Sequence, residues 1–358
     1  GPLTADLTDP AVSPLGTFGN QLVAATLNVG FDAAGFGKCT LTGDCDFSSA
    51  PGTLGTLVYG DCVVDGLAGW SVNEVIALAN TAAAGDIGAL PAVEANPDNA
   101  PTEARLALGR ALFFDNRISG TGTMNCATCH LPHQGWTVNT TLSPANPGWV
   151  ERRNSPTLIN VGYNKALIWD GRAWPLEKQA LGSTKNPVHK GQDLDKLMAM
   201  LKEDAAMVKM FEDAYGSEPN PADYGRALAV FQRHFIVTGP SPFDRHAQGD
   251  ASAMDEAAVR GMALFKGKGN CIACHNGPNF TDSGFYNVGL EHNPVLDDAA
   301  HQKVLKFDAK RTKNADWETI TTDPGRYLIT HEDADWGRFK TPTLRNLADT
   351  APYMHDGR

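Results

Sequence analysis

Two stretches of this chain spell Cys-x-x-Cys-His: Cys126-Ala127-Thr128-Cys129-His130 and Cys271-Ile272-Ala273-Cys274-His275. The pattern is the attachment signal for c-type haem. Its two thiols close thioether bonds on the porphyrin, and the following histidine ligates the iron. A covalent haem brings apolar bulk to a chain otherwise short of core, so this feature constrains the fold most. A thioredoxin-like pair or a zinc pair is the competing reading. The first wants a strand-to-helix context without the histidine, and the second does not require histidine after each second cysteine. The repeat of the whole pattern favours haem at both places. Two covalent haems in one chain point to electron or peroxide chemistry.

The rest of the composition is that of an ordinary soluble chain, with 358 residues, 42% hydrophobic and 20% charged. That length suffices for two or three domains. No apolar run approaches the ~20 residues of a membrane span. No signal-peptide pattern is visible, so the chain reads as mature or trimmed. The 41 acidic and 30 basic residues leave a net charge of −11. This argues against nucleic acid and anionic membranes, and slightly favours a partner with a basic docking patch. Haem attachment of this kind occurs outside the bacterial cytoplasm, so a periplasmic or cell-surface location is expected. Cys39, Cys45 and Cys62 are left over from the motifs. One disulfide involving Cys39 or Cys45 is expected there, with three buried thiols as the alternative.

Residues 1–95 are rich in Gly, Ala, Thr and Leu and form an extension of unassigned role, with one helical stretch at 73–84. Pro91 to Pro101 reads as a linker. A helix follows the N-cap Thr102, carries Leu106, Leu112 and Phe113, and ends near Asp115. Apolar stripes predict further helices over Leu194–Tyr215, Ala222–Val237 and about Ser252–Lys266. There is an internal echo: Gly109-Arg110-Ala111-Leu112-Phe113 precedes the first motif, and Gly261-Met262-Ala263-Leu264-Phe265 the second. The expected fold is mainly α, with two cytochrome-c-like haem domains with long loops, over 96–240 and 241–358, after the N-terminal extension.

From Leu106 onward the chain resembles the bacterial di-haem cytochrome c peroxidase and MauG family. The phrases that carry the resemblance include Leu112-Phe113-Phe114-Asp115-Asn116-Arg117, Arg153-Asn154-Ser155-Pro156-Thr157-Leu158, Trp169-Asp170-Gly171-Arg172 and Ala351-Pro352-Tyr353-Met354-His355-Asp356-Gly357. The resemblance implies that the His130 haem is the peroxide-reactive one and the His275 haem the electron-transfer one. It implies that Trp169 lies between them and relays oxidising equivalents. It also implies a bound Ca²⁺ on Asn154 and on the backbone oxygens of Thr350 and Pro352. Amide and carbonyl oxygens suit such a hard cation.

Where the family carries a distal Glu, twenty residues past the relay Trp, this chain has His189. Gln179 keeps a second distal position, and Ser183 replaces a Pro. His189 is read as the acid–base group that moves the peroxide proton, with a loop histidine and an iron ligand as the alternatives. Gly269 stands where MauG has a Trp that serves long-range oxidation. The family's sixth ligand to the second haem lies beyond Arg358, and Met354 is a tempting substitute. The function implied is use of hydrogen peroxide to form a high-valent two-haem state and oxidise a Trp or Tyr side chain of a partner protein. A cytochrome c peroxidase fed by a small cytochrome or cupredoxin is the alternative, and a di-haem electron carrier is another.

Overall fold

The computed structural model describes residues 87–358, together with the backbone of a short ladder in which β1 (Val58–Tyr59) pairs antiparallel with β2 (Cys62–Val63). The helix expected at 73–84 and the disulfide expected among Cys39, Cys45 and Cys62 lie outside the described residues. In chain order the helices are α1 (Glu103–Phe113), α2 (Leu176–Lys185), α3 (Leu194–Lys202), α4 (Ala205–Tyr215), α5 (Pro221–His234), α6 (Pro242–Ala247), α7 (Glu256–Lys266), α8 (Ala299–Arg311) and α9 (Tyr327–Thr330). One two-stranded ladder joins β3 (Phe285–Tyr286) to β4 (Phe339–Lys340). The protein is thus mainly α, with long loops and short 3₁₀ turns.

Two units emerge. The larger combines residues 91–239 with 283–358 and holds the His130 motif; the smaller combines 1–90 with 240–282 and holds the His275 motif. In the larger unit α1 starts where Thr102 caps it, the side chain accepting from Arg105 N at 3.2 Å. Leu108, Leu112 and Phe113 of α1 share one core with Leu228 and Phe231 of α5, Leu197 and Leu201 of α3, and Phe211 of α4. Each such side chain contributes about 1.5–3 kcal/mol on burial. A Cβ on Gly109 would strike the carbonyl of Ala227, so the closest approach of α1 to α5 needs a glycine there. A separate small cluster joins Leu305 and Ala309 of α8 to Ile320 and Leu328.

Three expectations need correction. The stretch Leu194–Tyr215 is two helices, because Asp204 accepts from Ala206 N and Met207 N and starts α4 anew. Such a cap is worth about 1 kcal/mol, enough to favour a break where the chain also turns. The Pro91–Pro101 piece is packed: Asn99 is buried, donates to Arg226 O at 3.0 Å and accepts from Tyr215 Oη at 3.1 Å. Two helices that no apolar stripe marked, α2 and α8, are also present.

In the smaller unit α6 opens with a capping box between Ser241 and Asp244, and Asp244 accepts from Leu90 N at 2.9 Å. Helix α7 begins after its cap Asp255, a turn later than the stripe suggests. Phe280 packs edge-on against Phe243 and Phe265, with centroids 5.0 and 6.0 Å away.

Candidate active site

Both motifs fold into the same turn. Cys126–Thr128 and Cys271–Ala273 each make one 3₁₀ turn; His130 N donates to Cys126 O at 3.0 Å and His275 N to Cys271 O at 2.9 Å. None of the four motif cysteines is in a disulfide. His130 Nδ1 lies 3.1 Å from Trp136 O, and His275 Nδ1 lies 3.0 Å from Phe280 O. A proton on Nδ1, donated to that carbonyl, leaves the Nε2 lone pair for a metal. Two thiols outside any disulfide, beside an imidazole held in the ligating tautomer, fit a covalent haem at both places. Among the described residues no three or more His, Cys, Asp or Glu side chains gather as a metal site. Burial lowers the His130 pKa to about 4, the bond to Trp136 opposes it, and the charges of Lys190 and His189 add to the fall. The ring is therefore neutral, as a ligand must be.

The loop after α2 carries His189 to this motif. It is strapped down by Gly120 N to Lys190 O and by Asn146 N to Val188 O, both at 2.8 Å. His189 is a third exposed, and its Nε2 lies 3.0 Å from Glu151 Oε1. Its Nδ1 lies 3.4 Å from Ser183 Oγ, and Lys190 Nζ donates to the same oxygen at 2.7 Å. Gln179 and Ser183 sit one turn apart on α2, hence on one face. The sequence alone pointed to His189, Gln179 and the change at Ser183; it gave no sign of Glu151 or of the buried Lys190.

Trp169 is 7% exposed and held from both sides. Its Nε1–H donates to Asn154 O at 2.8 Å, and its own carbonyl accepts from Lys340 N at 2.7 Å. The His355 ring meets it edge-on at 6.4 Å and stacks on Phe339 at 3.5 Å. Beside it runs a buried charge network. Asp170 pairs with Arg153 at 2.6 Å and Arg172 at 2.5 Å, Asp323 with Arg153 at 2.7 Å and with Arg152, and Asp308 with Arg152 at 2.9 Å and Arg172 at 3.2 Å. Burial works against the charge of Asp170, but Arg172 and Arg153 outweigh it and hold the carboxyl well below its usual range. Asp308 and Asp323 are held down in the same way. Removing one partner of such a set costs about 3–5 kcal/mol. Trp169 thus sits on a rigid mount. Its neighbours Arg152, Asp308 and Asp323 carried no sequence signal.

The C-terminal stretch lies along residues 135–154. Asn154 N donates to His355 O at 2.8 Å, and the Asn154 side chain donates to Thr140 O at 2.8 Å. A Cβ on Gly135 would come within 2.7 Å of Asp349 O and of the Thr350 methyl. Asn154 and the Thr350–Pro352 backbone are therefore carried by adjoining stretches, with neutral oxygen donors of the hard-cation type. Met354 is 40% exposed. Gly269 N donates to Leu264 O at 2.7 Å, and a Cβ there would lie 2.9 Å from that oxygen, so no larger residue fits without a shift.

The chain is similar to known proteins in keeping with this geometry. A family model described as di-haem cytochrome c peroxidase matches residues 103–252. The cytochrome-c peroxidase IdrP1 of Pseudomonas sp. (strain SCT) is 37% identical over 273 residues, which cover 75% of this chain and 72% of that protein. The methylamine utilization protein MauG of Methylorubrum extorquens is 37% identical over 282 residues, covering 76% and 72%. A crystal structure of a MauG-like protein associated with microbial copper homeostasis matches with a TM-score of 0.62 at 30% identity, covering 75% of this chain and 76% of that one.

Proposed function

As a member of the di-haem cytochrome c peroxidase and MauG family, to which it belongs, the chain is a peroxide-dependent oxidoreductase with two c-type haems, and we propose that it spends the oxidising power of hydrogen peroxide on a Trp or Tyr side chain of a partner protein. The observation that carries this reading is the mount of Trp169: a buried, oxidisable ring fixed at its indole nitrogen, its backbone and its neighbouring carboxylate. A ring so held changes geometry little when it loses an electron, which is what a relay between two haems requires.

Each haem, when bound, supplies an iron that accepts oxidising equivalents from peroxide. The chain does the rest. His130 and His275 would hold the irons through Nε2, and Cys126, Cys129, Cys271 and Cys274 would hold the rings. His189 takes the proton of the incoming peroxide and returns it to the departing oxygen, a shuttle worth about 10²–10⁴ in rate. Gln179, on α2, orients the peroxide by a hydrogen bond. In balance, hydrogen peroxide takes up two protons and two electrons and leaves as two waters. The electrons come from the partner's side chain by way of Trp169.

Asn154 Oδ1 with the Thr350 and Pro352 carbonyls is proposed to bind Ca²⁺, and the protein is proposed to act in the periplasm or at the cell surface, where haems of this kind are attached. Calcium depletion with a chelator is expected to slow the peroxide reaction and lower the melting temperature, with both restored by added Ca²⁺. No change on exhaustive depletion would remove the cation from the scheme.

The test of the function is to mix the protein with one equivalent of peroxide and no donor. Retention of both oxidising equivalents for minutes, then their delivery to a partner's Trp or Tyr, is the expected result. Rapid turnover only when a reduced small cytochrome or cupredoxin is supplied would instead favour the peroxidase reading, which the equal identity to IdrP1 keeps alive.

A further inference from the structure

Two places where the chain departs from its family come together in space. Ser183 and His189 face each other across 3.4 Å, and a carboxylate and a lysine complete the group. We propose that Glu151 is a positioning residue for His189, and that Glu151, His189, Ser183 and Lys190 form one hydrogen-bonded chain that does the work of a lone distal carboxylate. The proposal rests on the reading of His189 as the acid–base group.

The donor and acceptor inventory fixes the direction of each link. Ionised Glu151 can only accept, so the proton of a neutral His189 ring sits on Nε2, 3.0 Å away. The lone pair is then on Nδ1, the side that faces Ser183. Lys190 Nζ can only donate, and it does so to Ser183 Oγ at 2.7 Å. That leaves the Ser183 hydroxyl proton free to point at Nδ1. A proton released by peroxide is taken up at Nδ1, directly or through the Ser183 hydroxyl, and the imidazolium that results lies against the Glu151 carboxylate. This is the division of labour in which one group moves the proton while a second fixes the tautomer and stabilises the charged form.

The bland reading is a surface ion pair, which holds little energy and no role. Burial speaks against it. The Glu151 side chain is 15% exposed and Lys190 8%. A lysine is rarely buried so far without an assigned task. The loop that bears His189 and Lys190 is also pinned to the residues before and after the first motif, so the group is held beside that motif.

The test is a double-mutant cycle on the holoenzyme with both haems confirmed by absorbance. Two quantities are read: the rate constant for peroxide, and the equilibrium affinity of the ferric protein for cyanide. The latter arrives as HCN and must give up a proton to bind, yet needs no turnover. His189→Ala is expected to slow peroxide about 10²–10⁴-fold and Glu151→Ala about 10–100-fold. The double variant should be no slower than His189→Ala alone, because Glu151 acts through His189. Cyanide affinity should fall in both single variants. Glu151→Gln keeps an acceptor for Nε2–H and loses the charge, so it should fall between wild type and Glu151→Ala; it also serves where the alanine variant fails to fold. A slow His189→Ala beside unchanged Glu151→Ala and Glu151→Gln overturns the role of Glu151 and leaves His189 standing. Additive losses in the double variant overturn it too, because Glu151 would then act elsewhere. An unchanged His189→Ala sinks the acid–base reading itself.

Discussion

The two haem motifs share a turn and differ in everything around it. At His130 and at His275 the backbone bond to the first cysteine and the Nδ1 anchor to a carbonyl five or six residues on agree within 0.1 Å. Beyond that turn the His130 motif meets a helical core, the His189–Glu151 pair and the buried Lys190. The His275 motif has the buried Ile272 and the aromatic group of Phe243, Phe265 and Phe280. The lesson is that five residues specify how the iron is held from below. What the iron can do is specified from other parts of the chain, which bring the His189–Glu151 pair and Lys190 to the first motif.

Removing the cysteines gives the largest effect on this contrast. Cys126→Ser with Cys129→Ser should lose one haem from the denatured-chain mass and abolish the peroxide reaction. Cys271→Ser with Cys274→Ser should lose the other haem and keep an initial reaction with peroxide, without storage of the second equivalent. If the second pair abolishes the initial reaction and the first does not, the two motifs have been assigned the wrong way round.

A smaller effect is expected at Trp169. Trp169→Phe keeps the ring's bulk and loses the bond to Asn154 O. Haem content should stay at two, while the yield of protein holding both oxidising equivalents falls at least about tenfold, a loss of roughly 1.4 kcal/mol or more in the coupling step. An unchanged rate and yield would show that the haems couple without this ring. The contrast between the motifs would then be one of proton supply alone.

Much of this was legible along the chain, and the reason is locality. The ligating turns are pentapeptides, Thr102 caps α1 three residues before the Arg105 N–H that donates to it, and the stripe of Leu228 and Phe231 marks α5. What was not legible is what depends on distant partners. Helix α8 buries only Val304, Leu305, Asp308 and Ala309 in a charged sequence, so its apolar stripe is too narrow to stand out. Asp308 and Asp323 look like surface acids until the fold sets them against Arg152, Arg153 and Arg172. Glu151 lies 38 positions before His189, and nothing local marks either as the other's partner. The return of residues 283–358 to the unit that holds the first motif is a division no single cut in the chain can express.

The smallest effect expected is on acid stability, and it separates the two regions by pH. Asp170, Asp308 and Asp323 have folded pKa values below the unfolded value of about 3.9, so their contribution is fully present above that pH and is lost only as pH falls further. His355 behaves differently. Burial lowers its pKa to about 4, with Asp323 opposing, while the unfolded ring titrates near 6.5. Between those values the unfolded chain binds the proton and the folded chain does not, so stability falls as pH drops through this window. The region around Trp169 should therefore loosen in two stages, the first below about pH 6.5 and the second below about pH 4. Hydrogen exchange, corrected for its intrinsic pH dependence, would show the first stage in peptides covering 169–172 and 339–355. Peptides covering 256–275, around the second motif, should not share it. His355→Asn should flatten the first stage and leave the second. Equal loosening of both regions across pH 6.5–4, or an unaltered profile in His355→Asn, would mean that this charged mount does not titrate as a local feature of the first motif's surroundings.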